Sequence, residues 1–221
     1  MAAYLIHLQP SNLHCQKGKN AMPVSFMGLI IVCALIAGVL LWAVRAYNRM
    51  VELRNRIANA FGQIDVQLKR RHDLIPNLVE VARKYMEHEN ATLTAVIQAR
   101  GQAQGAVTAA RANPGNAAAI GALAVAEQAL MGQVGRLLAV SESYPALKAD
   151  QNMRELSEEI TSTENRIGFA RQAYNDAVHD LNNAVQAFPD VLLARLTGFA
   201  PAAPLESTAS EAERAAPRVA F

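Results

Sequence analysis

The sequence predicts an all-α protein: one N-terminal transmembrane helix continuing into an antiparallel up-and-down bundle of four long helices. Three observations carry this expectation. Residues 24–44 form an uncharged apolar run. Every later stretch repeats its apolar residues at three- and four-residue steps, without the alternation that would signal strands. The 221 residues are 52% hydrophobic but only 5% aromatic; alanine carries much of the apolar share, which favours helices and lets them approach closely. The length suits one good-sized domain and an anchor.

Val24 to Val44 (VSFMGLIIVCALIAGVLLWAV) is ~21 residues long and spans roughly 30 Å as a helix, the thickness of a bilayer's hydrocarbon core. Trp42 lies near one end, where an amphipathic ring prefers the headgroup region. A cleaved signal peptide has a shorter apolar stretch, about 7–15 residues. It would also need a cleavage site here at Val44-Arg45-Ala46, which carries an arginine. Residues 1–23 read as a disordered segment, and Met22-Pro23 marks a second place where translation could begin. Arg45, Arg49, Arg54 and Arg56 follow the span, while only Lys17 and Lys19 precede it. The positive-inside rule therefore puts the N-terminus outside and the bundle in the cytoplasm.

Beyond the anchor, Tyr47, Val51, Ile57, Phe61, Ile64 and Leu68 mark a helical stripe with no breaker before it. The next boundary is expected at Lys69-Arg70-Arg71-His72-Asp73. There Asp73 can cap a new helix with Pro76 in its first turn; the alternative is one helix kinked at Pro76. Ile75, Leu78, Ala82, Tyr85, Leu93, Val96 and Ile97 trace a second helix to about Gln104. Asn113-Pro114-Gly115 signals a turn. Ile120, Leu123, Leu130, Val134, Leu137 and Val140 trace a third helix, which ends before Ser143-Tyr144-Pro145. The fourth carries Met153, Leu156, Ile160, Thr163, Ile167, Ala170, Tyr174, Ala177, Leu181, Ala184 and Phe188, a heptad seam for coiled-coil-like packing. Phe188-Pro189 stops it, and Asp190 to Phe199 reads as a short amphipathic helix lying on the bundle or the membrane. The bundle thus covers 45–199, and the Pro/Ala/Ser/Glu-rich segment 200–221 reads as a disordered tail.

No catalytic set emerges. His88 lies between Glu87 and Glu89, but a metalloprotease helix needs a second histidine at position 92, which is Thr. No nucleophile elbow or phosphate loop is present. Cys15 and Cys33 make neither a disulfide framework nor a zinc site. The sequence therefore predicts no enzyme, no cofactor and no metal, and a net charge of +2 gives no reason to expect nucleic acid. The polar residues of interest are Asp65, Asn77, Glu164, Arg171 and Asn175, with Asn182, on or beside apolar stripes. They read as interhelical bonds that set register, or as a partner or ligand site. Arg70 and Arg71, with Lys69, read as a solvated helix end favoured by the dipole, or as a surface for an acidic partner.

Several stretches together resemble the LemA family of bacterial membrane proteins. They are Tyr47-Asn48, Ile64-Asp65-Val66-Gln67-Leu68-Lys69-Arg70-Arg71 running into Asp73-Leu74-Ile75-Pro76-Asn77-Leu78-Val79, His88-Glu89, Ala99-Arg100, Tyr144-Pro145, Leu147-Lys148-Ala149, Thr163-Glu164, Ala170-Arg171, Tyr174-Asn175 and Phe188-Pro189. The similarity covers roughly residues 24–199 and leaves out the leader and the tail. It implies a single-pass protein of the bacterial cell membrane with a short outward N-terminus and a cytoplasmic four-helix bundle, and it brings no catalytic residues. The expected function is a membrane-anchored scaffold whose partners are the lipid bilayer and other proteins. Gly28, Ala34 and Gly38 allow close approach of a second anchor, so a homo-oligomer is among the expected assemblies. The alternative is a membrane-linked sensor with a small polar ligand pocket among Asp65, Asn77, Glu164 and Arg171.

Overall fold

The computed structural model describes residues 24–206, with side chains from Phe26 onward. The leader 1–23, the second start at Met22 and the tail from 207 on lie outside the described residues. Among the described residues all regular structure is helical: α1 Val24–Arg83, α2 Asn90–Ala112, α3 Ala117–Ser141, α4 Pro145–Ala149, α5 Gln151–Gln186 and α6 Asp190–Thr197.

The described residues divide into two units, one up to Trp42 and one from Ala43 onward. In the first, the apolar run forms the start of α1, with a mean hydropathy of 2.7 and its side chains from Phe26 to Leu41 exposed. Such a helix is long and apolar enough to cross a bilayer. Helix α3 also meets that length and hydropathy. Its Ile120, Leu123, Leu130, Val134 and Leu137 are spent on the bundle interior, so we read it as a core helix.

The second unit is the bundle, built from α1 beyond the anchor, α2, α3 and α5. Two apolar clusters make its core. The first gathers Met50, Phe61, Ile64 and Leu68 of α1 with Val107, Ile120, Leu123, Ile167, Tyr174 and Leu181. The second gathers Ile75, Leu78, Val79 and Met86 with Leu93, Val96, Leu130, Val134, Leu137, Leu147 and Ile160. Most of the expected stripes fall on these clusters. Tyr47, however, is 44% exposed and Phe188 83% exposed. Met50 and Leu53 take the inward positions near the start of the bundle, and Val178 and Val185 do so on α5. Phe188 misses the seam because α5 has already ended at Gln186.

The expected boundary at Lys69–Asp73 is absent. Helix α1 runs through it and through Pro76, and the chain reverses only after Arg83, where the N–H groups of Tyr85 and Met86 both bond the Ala82 carbonyl. His88 is exposed in that turn. The bundle still has four long helices, but the second is α2, starting at Asn90 and reaching Ala112 instead of about Gln104. Its glycines Gly101 and Gly105 stay helical because Ala103, Val107 and Ala110 are buried, and packing outweighs propensity. The turn at Asn113-Pro114-Gly115 is where the sequence puts it, and the Asn116 side chain caps α3 by accepting the Ala119 N–H at 3.0 Å. Asp150 caps α5 through the Met153 N–H at 3.0 Å and also accepts the Tyr85 hydroxyl at 2.9 Å. These bonds to the charged carboxylate hold it below the usual aspartate range.

Helix α1 survives Pro76 for a specific reason. A proline inside a helix has no N–H to give the carbonyl four residues earlier, here His72. That carbonyl instead accepts the Nε–H of Arg100 from α2 at 2.5 Å. The lost internal bond is replaced by an interhelical one. Arg100→Met is expected to cost about 1–3 kcal/mol, the penalty of an orphaned buried acceptor. In a Pro76→Ala background the restored N–H bonds the same carbonyl, and the cost is expected to fall well below that. Urea titration of wild type, both single variants and the double variant reads this coupling; equal costs in both backgrounds would exclude it.

Candidate functional site

Between the two apolar clusters lies a belt of charged side chains, carried by Arg70, Arg71 and His72 on α1. Arg70 pairs with Glu159 of α5. Arg71 is 2% exposed and binds two carboxylates at once, Glu127 of α3 through one terminal nitrogen and Glu164 of α5 through the other. His72, also buried, brings Nε2 to 3.0 Å from Glu127 Oε1, without the alignment of a hydrogen bond. Its backbone carbonyl takes the Arg100 bond from α2. Three consecutive residues therefore tie α1 to every other long helix. One step nearer the N-terminus of α1, Asp65 pairs with Arg111 of α2 at 2.7 Å.

This arrangement overturns the reading of Arg70 and Arg71 as a solvated helix end. Both sit mid-helix, but only Arg71 is inside, where an arginine needs carboxylates because an unpaired buried charge is costly; Arg70 stays half-exposed beside Glu159. Glu127, Glu159 and His72 are the members that sequence reasoning did not single out. Their signal was periodic: Glu127 falls between Leu123 and Leu130 on the inward stripe of α3. Asn77 is exposed on α1 and takes no part in the belt.

Next to the belt, α1, α3 and α5 leave a cavity of about 170 Å³. Leu68, Leu123, Met131 and Ile167 give it apolar walls, while Arg71, Glu127, Glu164 and Arg171 give it charge. Among the described residues Arg171 makes no ion pair or hydrogen bond, and Arg71 Nε has no protein partner. The structure thus brings Glu164 and Arg171 together, but Asp65 and Asn77 lie elsewhere.

One wall of the cavity comes from Leu205 and Glu206, in the segment expected to be disordered from Ala200 onward. Up to residue 206 that expectation is corrected. Ala202 and Leu205 are buried, and two asparagines of α5 hold the segment by its backbone. Asn182 accepts the Ala202 N–H at 2.8 Å and donates to its carbonyl at 2.9 Å. Asn175 does the same for Leu205, at 2.8 and 3.2 Å. The Tyr174 hydroxyl shares its proton between the carbonyls of Pro114, at 2.6 Å, and Ala203, at 2.9 Å. Burial pushes this phenol up to about 12, so it remains a donor at neutral pH. Asn175 is therefore an internal strap-holder, a role invisible without knowing which segment lies against it.

A family model described as the LemA family matches residues 60–221. The chain belongs to the LemA family. The matched range takes in the belt, the cavity and the strap, and it continues through the tail, beyond the end at 199 expected from the sequence. Magnetosome protein MamQ of Magnetospirillum gryphiswaldense is 25% identical to this LemA-family chain over 195 residues, covering 80% of the chain and 70% of the relative. MamQ 1 and MamQ 2 of Paramagnetospirillum magneticum are each 26% identical over the same coverage. Family membership and the exposed apolar helix together make this LemA protein membrane-associated.

Arg71→Met is expected to destabilise the bundle by about 3–5 kcal/mol, because it strands the Glu127 carboxylate and, to a smaller extent, the more exposed Glu164. Adding Glu127→Gln is expected to restore much of the loss. Denaturant midpoints of the single and double variants check both the direction and the rescue.

Proposed function

We propose that this LemA-family chain is a membrane-anchored scaffold, a non-enzymatic protein that holds a helical bundle against one leaflet for protein partners. The observation that supports it best is where the charge goes. Arg70, Arg71, His72, Glu127, Glu159 and Glu164 face one another across the bundle and are engaged in joining helices. Pairs of this kind specify register and orientation. The arginines after the span, Arg45, Arg49, Arg54 and Arg56, favour a single-pass arrangement in the bacterial cell membrane, with the N-terminus outside and the bundle in the cytoplasm. The relatives are named for magnetosomes; at 25–26% identity we carry over the family and no magnetosome role. Proximity labelling from the C-terminus of the full chain in cells, paired with crosslinking in isolated membranes, is expected to mark cytoplasmic and membrane neighbours and to trap protein adducts. Monomer alone, with no co-purifying protein, would overturn the scaffold reading.

The cavity favours a second reading, a sensor that binds a small polar ligand beside Glu164 and Arg171. Its volume, about 170 Å³, is below the roughly 300–1,000 Å³ of common ligand sites, which ranks it second. On this reading, screening small zwitterions and carboxylates by thermal shift should find one that raises the melting temperature of the wild type but not of Arg171→Ala. A flat screen would remove the reading's support.

A further inference from the structure

Helix α6 carries an apolar stripe that the bundle does not use. Ala194 is buried and Leu193 packs on the core, so one side of the helix is accounted for. On the other side Leu192 is 60% exposed and Leu196 85%, one helical turn apart, and Phe188, in the turn that leads from α5 into α6, is 83% exposed. The other large apolar side chains exposed on the bundle beyond Tyr47, among them Val66, Tyr85, Ile97, Val125 and Phe169, are distributed over α1, α2, α3 and α5 and the turn after α1. Monomeric proteins seldom leave such a stripe to water, and its setting decides what covers it.

That setting is fixed by Phe199, just past α6. Its ring meets Tyr47 edge-on, with centroids 5.7 Å apart, and lies under the Arg54 guanidinium at 5.3 Å. Tyr47 is three residues beyond Val44, the last residue of the apolar run, so the helical rise puts it roughly 5 Å from the end of the span. Phe199 thus pins the α6 region to the first turns of α1 that follow the apolar run. Arg45 and Arg49 are exposed there, and Arg195 is exposed on α6 itself. Apolar side chains flanked by arginines, at the depth where headgroups begin, have the chemistry of an interfacial helix on a lipid surface containing anionic lipid.

We propose that α6 is a second membrane contact, with Phe188, Leu192 and Leu196 seated in the headgroup–acyl boundary of the leaflet from which α1 emerges. The inference rests on the membrane-anchored reading above and deepens it. A bundle held only by α1 could pivot about its anchor; one held also by α6 presents a fixed face to its partners.

Spin labels test this in the full chain. Cys15→Ser and Cys33→Ser clear the background, and single labels are placed by Leu192→Cys, Leu196→Cys, Val125→Cys or Ile36→Cys in vesicles of phosphatidylcholine and phosphatidylglycerol. Accessibility to oxygen is compared with accessibility to a water-soluble nickel chelate. The labels at 192 and 196 are expected to favour oxygen several-fold over the Val125 label, and Leu196→Glu is expected to lift the 192 label toward water. Labels at 192 and 196 that match Val125 would overturn the proposal. So would shelter from water accompanied by spin–spin broadening that vanishes on dilution with unlabelled protein, since a second copy would then be the cover. A label at Ile36 that also reads as water-exposed would mean that the anchor reading itself fails, and this proposal with it.

Discussion

The carbonyl of His72 is the constraint around which the bundle is organised. Pro76 denies it the usual helical donor, and a carbonyl left without a partner among packed helices is expensive. Arg100 answers from α2. The exchange turns a local defect into an interhelical bond, and it does so beside Arg70 and Arg71, whose side chains reach α3 and α5. A helix without the proline would satisfy itself and need nothing from its neighbour at this level.

The charged belt has a second consequence. It separates one apolar cluster from the other: Leu68 and Ile75 on α1, Leu123 and Leu130 on α3, and Ile160 and Ile167 on α5 flank it on its two sides. Apolar layers alone tolerate sliding by a heptad, because leucine against leucine looks much the same one turn away. An arginine that must meet two carboxylates does not. Much of the belt's energy is offset by the desolvation of its charges, so its contribution lies more in uniqueness of register than in net stability.

The strap works by different physics. Asn175 and Asn182 lie seven residues apart on α5 and so share a face. Each side-chain amide matches both the donor and the acceptor of one backbone residue. Recognition is therefore of extended backbone, with Ala202 and Leu205 supplying apolar contact and little else. A Pro/Ala-rich segment can be ordered in this way although its own composition promises no structure.

The sequence by itself determined the anchor, the helical class, four long bundle helices and the turns at Asn113-Pro114-Gly115 and before Pro145. These are written in local quantities: length of apolar run, period of the stripe, and the backbone limits of proline and glycine. It also marked Asp65, Asn77, Glu164, Arg171, Asn175 and Asn182 as polar residues on or beside apolar stripes, and read Arg70 and Arg71 as a helix end. Only the tertiary structure decided what they do. Whether Pro76 ends a helix depends on whether Arg100 is near enough to replace the missing donor. Whether Arg71 is solvated depends on Glu127 and Glu164, which are distant in the chain. Whether residues 200–206 are ordered depends on two asparagine side chains of α5. Each of these outcomes is a partner supplied across the bundle, and a one-dimensional pattern records the need for a partner without naming it.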